Sequence, residues 1–376
     1  MKIVVLKEYE PSEKRVPVIP PDAGKLVKMG GQVAIETGMG EACGYSDDEY
    51  ISAGAMVEQD RDSLLSTADL VLRLRAPSVA ETGLMKKGSV HVSFFNPFSE
   101  RELLEEFVSR GIDAVSMEMI PRITRAQKMD ALSSQAGLAG YIAVITAANR
   151  LNKIFPMMMT PAGTITPARV FVIGAGVAGL QAIATAKRLG ARVHAFDTRP
   201  VVEEQVRSLG AKFLTIDLGG TGQTKEGYAK ALSEEQIAKQ RSAMAKQCAD
   251  SDVVITTAQV FGKKAPLIVT REMVEEMKKG AVIVDLAAES GGNVEGTVSG
   301  KETVINGVTI IGLENAAGYA AVHASQMYSG NLLSFITEFW NTDSKTLDLR
   351  LDDEIIRGSL VSHGNEIFSE PLKKVV

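Results

Sequence analysis

The chain has 376 residues, 45% hydrophobic and 23% charged, and 41 basic against 46 acidic side chains give a formal net charge of -5 at pH 7. That length exceeds what one hydrophobic core usually spans, so two domains of ordinary globular composition are expected. No basic run is interleaved with aromatics, which disfavours nucleic acid as a partner, and no window approaches the roughly 18 uninterrupted apolar residues of a membrane helix, which disfavours direct membrane insertion.

Met1 leads directly into the strand-like run Ile3 to Leu6 without the basic segment, apolar stretch and cleavage site of an export signal, so cytoplasmic residence is expected. Further apolar runs follow at Gln32 to Ile35, Leu70 to Leu74, Val90 to Phe94 and Asp113 to Ser116. Helical spacing lies between them at Asp22 to Met29, Asp47 to Ala53, Asp60 to Thr67 and Glu100 to Arg110, the last closed by Gly111 at the cap. The alternation predicts a parallel sheet wound with helices. From Ala131 to Ile154 the pattern becomes one long helix stopping near Pro156, long enough to join two lobes. A second α/β series follows, with strands at Arg169 to Ile173, Arg192 to Phe196, Lys212 to Ile216, Asp252 to Thr256, Ala281 to Leu286 and Val308 to Ile311. After it come a helix-compatible stretch, Ala316 to Trp340, and strand-like pieces at Leu347 to Leu351 and Ile355 to Val361 that return the chain to the first domain. The expected fold is therefore α/β, two Rossmann-like doubly wound parallel-sheet domains joined by long helices with a cofactor cleft between them. The first domain is residues 1–132 plus about 330–376, and the nucleotide-binding domain is 133–329. Cys43 and Cys248 have no Cys-x-x-Cys spacing and read as buried thiols, with no disulfide framework and no metal site.

The clearest chemical signal is Val170-Phe171-Val172-Ile173-Gly174-Ala175-Gly176-Val177-Ala178-Gly179, a buried strand feeding G-x-G-x-x-G and then a helix. Gly174 permits the tight turn, Gly176 lets the backbone approach a pyrophosphate, and Gly179 lets helix and strand pack closely, the helix N-terminus facing the phosphate charge. The following strand ends in Asp197-Thr198-Arg199, about 20 residues on, where an acidic residue accepts bonds from the adenosine ribose and favours NAD over NADP. Arg199, two positions on, is a basic residue that could accommodate a phosphate; a cap at the strand end is the bland alternative for Asp197. Thr257, Ala258 and Gln259 end another strand on the same side of the sheet, where backbone meets the nicotinamide ribose. Asp285 and Glu289 end the next, as loop caps rather than as proton-transfer groups.

Between the two series lies Pro121-Arg122-Ile123-Thr124-Arg125-Ala126-Gln127-Lys128-Met129-Asp130-Ala131-Leu132-Ser133-Ser134-Gln135. Its density of arginine, amide, carboxylate and hydroxyl groups suits a nicotinamide and its ribose, with a solvated loop and helix cap as the alternative. This string, with Pro156-Met157-Met158-Met159-Thr160-Pro161-Ala162-Gly163, the fingerprint and Asp285-Leu286-Ala287-Ala288-Glu289-Ser290, closely resembles the NAD(H)-binding domain I of proton-translocating transhydrogenase over essentially the whole chain. Alanine dehydrogenase shares the fold.

The resemblance implies that Arg122, Gln127, Asp130 and Ser133 surround the nicotinamide end, and that Gly219 to Gly222 with Gly227 and Tyr228 form a mobile loop closing on the nucleotide. It implies NAD(H) bound here, NADP(H) on a partner subunit, a membrane-spanning partner that couples proton translocation, a homodimer, and a peripheral place on the cytoplasmic face. Hydride would pass directly between the nucleotides, in the Si/Re-stereospecific manner and only in the complex. The alternative is a soluble alanine-dehydrogenase-like amino-acid oxidoreductase, which needs a lysine and a histidine for proton transfer. Alignment puts Arg75 at the lysine and Asn96 at the histidine, and a guanidinium stays protonated at any working pH. Arg15 does match the substrate arginine, and nearby His91 reads as a half-buried strand residue. A non-catalytic NAD-sensing module is a third reading.

Overall fold

The computed structural model describes residues 1–216 and 233–374. The chain divides into two compact units, residues 1–135 with 318–376 and residues 136–317.

In the first unit, six strands run β1 (Lys2–Val5), β2 (Gln32–Glu36), β3 (Met56–Glu58), β4 (Leu70–Leu72), β5 (Val90–Ser93) and β6 (Asp113–Ser116). All pair in parallel, in the order β6-β5-β4-β1-β2-β3, so the winding reverses between β1 and β4. Successive side chains of a strand point to opposite faces. Ile3 and Val5 enter one core layer with Val33, Leu70, Leu72 and Tyr328, while Val4 and Leu6 enter the other with Val71, Leu104 and Phe107. Both faces are covered, which is why these strands read as continuous apolar runs.

The second unit opens with a hairpin of β7 (Met158–Thr160) and β8 (Gly163–Ile165), every residue of which is exposed. Its sheet contains β9 (Arg169–Ile173), β10 (Arg192–Phe196), β11 (Lys212–Phe213), β12 (Val253–Thr256), β13 (Val282–Asp285), β14 (Glu302–Ile305) and β15 (Val308–Gly312). The order is β11-β10-β9-β12-β13-β15-β14, parallel except for the β14 edge. One face packs Phe171, Val254, Ile283 and Ile310 against Met244 and Cys248 of helix Glu234–Asp250, whose N-terminus is closed by a capping box between Ser233 and Gln236.

After helix Ala321–Glu338 the chain rejoins the first unit through the short hairpin β16 (Trp340–Asn341) and β17 (Thr346–Leu347), then β18 (Leu360–His363) and β19 (Glu366–Ile367). β18 pairs antiparallel with β6 and extends the sheet to eight strands. Residues 355–359 are not the strand expected from their apolar content. Asp353 accepts from the Ile355 backbone N–H and starts helix Glu354–Ser359, so the strand begins only at Leu360.

Helix Ala131–Arg150 is long and apolar enough to cross a membrane by length and composition alone. No uninterrupted apolar run marks it, because Ser133, Ser134, Gln135, Tyr141 and Thr146 punctuate it. Its first turns are tied into the first unit, Ser134 donating to Asn331 (2.8 Å) and Gln135 to the Ala324 carbonyl (3.0 Å). Both cysteines are buried and unpaired with one another.

Candidate dinucleotide site

At the end of β9 the chain turns through Gly174, with φ +97°, into helix Val177–Arg188. A Cβ on Gly174 would come within 2.5 Å of Thr257 Oγ1, and one on Gly179 would overlap the Gly174 carbonyl oxygen. Gly176 differs. A Cβ there meets open space, the nearest atom being Arg199 Nη2 at 3.9 Å, and no side chain caps the helix at this residue. The first and third glycines thus answer to packing, whereas the second leaves room in front of uncapped N–H groups, the space and polarity that a pyrophosphate fits.

Around this turn the second unit is braced by polar side chains. Thr257 Oγ1 donates to the Gly174 carbonyl (3.1 Å), joining the end of β12 to the fingerprint. Asn293 holds the strip beyond β12: its Oδ1 accepts from the Ala258 N–H (3.0 Å) and its Nδ2 donates to the Ala258 carbonyl (2.8 Å). Gln259 reaches the Leu286 carbonyl (2.7 Å). Asp285, fully buried, accepts from Thr256 and Thr297 hydroxyls and from the N–H groups of Ala287, Asn293 and Val294, so it is the hub of its loop. Glu289 accepts from the Asn315 N–H (3.2 Å). Asn293 does not stand out in the sequence, because its partner Ala258 lies 35 residues away; its place after the glycine pair ending the β13 loop was the available signal.

Asp197 ends β10 and does not stand as a bare carboxylate. It accepts from the Ala175 N–H of the fingerprint and from Arg199, with which it forms a two-bond ion pair. Thr198 lies half-buried between them. Gly227 and Tyr228, with the Gly219 to Gly222 stretch, lie outside the described residues.

The other expected residues belong to the first unit. Arg122 and Gln127 are exposed, Gln127 within the 3-10 turn Thr124–Met129. Asp130 and Ser133 are brought together: the Ser133 N–H donates to Asp130 Oδ1 (2.9 Å) and the Ser133 hydroxyl to Oδ2 (2.6 Å), so Asp130 caps helix Ala131–Arg150 while both stay half-exposed. Beside them Arg125 bridges Glu338 (2.9 Å) and Asp353 (2.6 Å).

A buried ionic network occupies the carboxyl ends of β1, β4 and β5. Arg73 pairs with Glu8 and Glu81, both at 2.9 Å, and Arg61 with Glu36 and Glu81. Glu13, without exposure of its side chain, accepts from Arg15 (2.6 Å) and Arg75 (2.8 Å). Burial pushes the Glu13 pKa up, but the bond and charge of Arg15 and the charge of Arg75 outweigh it and leave the carboxyl below its ordinary value. For Glu81 burial is likewise outweighed, first by Arg73, giving a pKa of about 2. Asn96 sits at φ +45°, its N–H and that of Phe95 donating to the buried Glu118. His91 is fully buried rather than half-buried, since β5 is an inner strand and the ring packs on Phe107 at 5.4 Å between centroids. Burial, then the Arg73 charge, lowers its pKa to about 3. Among the described residues no cluster of three or more potential metal-binding side chains occurs.

A doubly wound sheet whose first strand feeds this glycine turn defines a dinucleotide-binding oxidoreductase fold. The chain belongs to the alanine dehydrogenase/PNT family, whose N-terminal domain matches residues 4–139 and whose C-terminal domain matches residues 143–370. An NAD(P) transhydrogenase subunit alpha chain of Rhodospirillum rubrum is 46% identical over 379 residues, covering 99% of both chains. The crystal structure of transhydrogenase from Sinorhizobium meliloti is similar at a TM-score of 0.88 and 42% identity, covering 98% of this chain and 100% of that one. An L-alanine dehydrogenase structure reaches a TM-score of 0.83 at 25% identity, with 100% and 99% covered. These likenesses support a transhydrogenase subunit with nicotinamide-nucleotide-binding, Rossmann-like domains.

Proposed function

We propose that this chain is the NAD(H)-binding subunit of a proton-translocating transhydrogenase, passing hydride reversibly between NADH and NADP+ held by a separate subunit. The observation that carries the reading is the likeness to transhydrogenase chains over nearly the full length. It is joined by Arg75 and Asn96 at the positions where an amino-acid dehydrogenase needs a lysine and a histidine. The reaction NADH + NADP+ → NAD+ + NADPH moves one hydride and no net proton, so it requires no acid, base or metal from the protein. It requires two rings brought to about 3 to 3.5 Å with water excluded.

In this reading the uncapped N–H groups at Val177 hold the pyrophosphate, and Asp197 the adenosine ribose. The strip Thr257-Ala258-Gln259, stiffened by Asn293, supports the nicotinamide ribose. Arg122, Asp130 and Ser133 orient the carboxamide, and the exposed Gln127 amide, able to donate and accept, meets the partner's nucleotide. The proton path belongs to a membrane-spanning partner, so this chain is peripheral on the cytoplasmic face. For a homodimer, the hairpin Met158–Thr160/Gly163–Ile165 is the favoured face. Met157, Met158, Met159 and Ile165 are 45–75% exposed there, beside a cleft of about 1080 Å³ lined by Leu151, Ile154, Phe155 and Pro156.

Mixing the chain with an isolated NADP(H)-binding transhydrogenase domain, and following hydride transfer from NADH to an NADP+ analogue by absorbance, tests the proposal. Transfer that needs both proteins and collapses on Gln127→Asn is the expected result. NADH oxidation by the chain alone with a 2-oxo acid and ammonia would establish the amino-acid dehydrogenase instead.

A further inference from the structure

Asp197 is a crowded carboxylate. Its Oδ1 accepts from the backbone N–H (2.8 Å) and Nε (2.9 Å) of Arg199, and its Oδ2 from the Ala175 N–H (2.8 Å) and Arg199 Nη2 (2.8 Å). A carboxylate offers about four lone-pair directions. All four are taken by donors of this chain, three of them from one arginine. The pair is also sheltered, with the side chains of Asp197 and Arg199 7% and 16% exposed.

Two consequences follow for a nucleotide. Ribose hydroxyls reach Asp197 only by replacing guanidinium N–H groups, and the carboxylate that would repel a 2′-phosphate is already neutralised by its partner. Arg199 also stands at the fingerprint itself, Nη2 lying 3.9 Å from where a Cβ on Gly176 would be. A planar guanidinium at that corner of a dinucleotide fold is the group that grips a 2′-phosphate through two parallel bonds.

We propose that Asp197 acts as a lock on Arg199: the second unit contains the cation of an NADP(H) site, and preference for NAD(H) is maintained because Asp197 keeps that cation folded onto itself. Arg199 is thus a positioning residue for Asp197 in the parent chain and a 2′-phosphate ligand once the carboxylate is removed. The inference rests on the NAD(H) assignment.

Calorimetric titration with 5′-ADP and with 2′,5′-ADP, alongside NADH titration, tests it in the parent, Asp197→Ser and Asp197→Asn, and in Asp197→Ser combined with Arg199→Ala or Arg199→Lys. Asn keeps an acceptor for the Ala175 N–H, so this variant protects against loss of the turn. Both single variants are expected to bind 2′,5′-ADP at least about tenfold more tightly than the parent, the worth of one charged hydrogen bond, with the gain falling as salt rises. The gain disappears with Arg199→Ala and returns in part with Arg199→Lys, while 5′-ADP binding is retained. A gain that persists without Arg199 overturns the lock, because relief of repulsion alone then accounts for it. So does absence of any gain in variants that still bind NADH. A parent chain that binds neither NADH nor 5′-ADP overturns the NAD(H) reading, and this inference with it.

Discussion

Substituting Gly179 by alanine places a methyl group against the Gly174 carbonyl oxygen, in overlap with it. Neither partner is the flexible end of a side chain: one is the first turn of helix Val177–Arg188, the other the fingerprint backbone, which Thr257 and Asp197 also hold. Overpacking of this kind costs about 1–3 kcal/mol, and a rigid backbone neighbour places it near the upper end. Alanine returns up to about 1 kcal/mol of helix propensity, leaving a net loss of about 2 kcal/mol. For a unit of this size, that lowers the melting temperature by about 4–8 °C. Gly176→Ala is the internal control, because its methyl group enters open space: melting should stay within about 1 °C of the parent, while NADH affinity falls as the methyl takes the room proposed for the pyrophosphate. Scanning calorimetry and NADH fluorescence titration on both variants separate the effects. Gly179→Ala melting like the parent, or Gly176→Ala melting as low as Gly179→Ala, would refute the division of labour among these glycines.

Two further predictions concern groups outside the nucleotide contacts. Asp285→Asn should turn an amide N–H toward the N–H groups of Ala287, Asn293 and Val294, at a cost of about 3 kcal/mol read from the urea midpoint; an unchanged midpoint would show that the loop does not depend on the charge. His91, with its pKa lowered to about 3 from 6.5, refuses in the folded chain a proton that the unfolded chain accepts. Its contribution is therefore complete above about pH 6.5 and is lost as pH falls toward 3, with a slope of up to about 1.4 kcal/mol per pH unit. Between pH 6.5 and 5, above the range in which Glu81 titrates, His91→Gln should flatten the fall of stability measured by urea titration, and an undiminished slope would exclude the histidine as its source.

The strands buried on both faces were legible because their sequences are continuous apolar runs, as in Ile3-Val4-Val5-Leu6 and Val170-Phe171-Val172-Ile173. Short or exposed strands were not. Met56–Glu58 is three residues long without a fully buried side chain, and β7 and β8 bury nothing, so neither leaves a periodic trace. Residues 355–359 carry apolar side chains that suit either element, and the Asp353 cap decides for the helix. The fingerprint was readable because its parts are contiguous. The Asp197 and Arg199 pair was not, since two residues separated by one position converge only through the turn after β10. Nor could composition reveal that Asn293 clamps Ala258, or that a histidine one strand inward from β6 loses all contact with water.

The second unit is a single continuous stretch, whereas the first is written in two instalments separated by all of it. Tyr328, Phe335 and Ile336 belong to the same core layer as Ile3 and Leu72, the Tyr328 hydroxyl donating to the Arg73 carbonyl (2.8 Å), and β18 covers the edge of β6. A growing chain therefore makes its N-terminal half first but finishes it last. Until residues 328–363 leave the ribosome, β6 presents an open parallel edge and the sheet lacks part of one apolar cover, while the later-made unit already has its entire sequence. Birth order and completion order are inverted, so truncations or stalls beyond Ala317 leave the first unit, rather than the second, as the species that needs protection from aggregation.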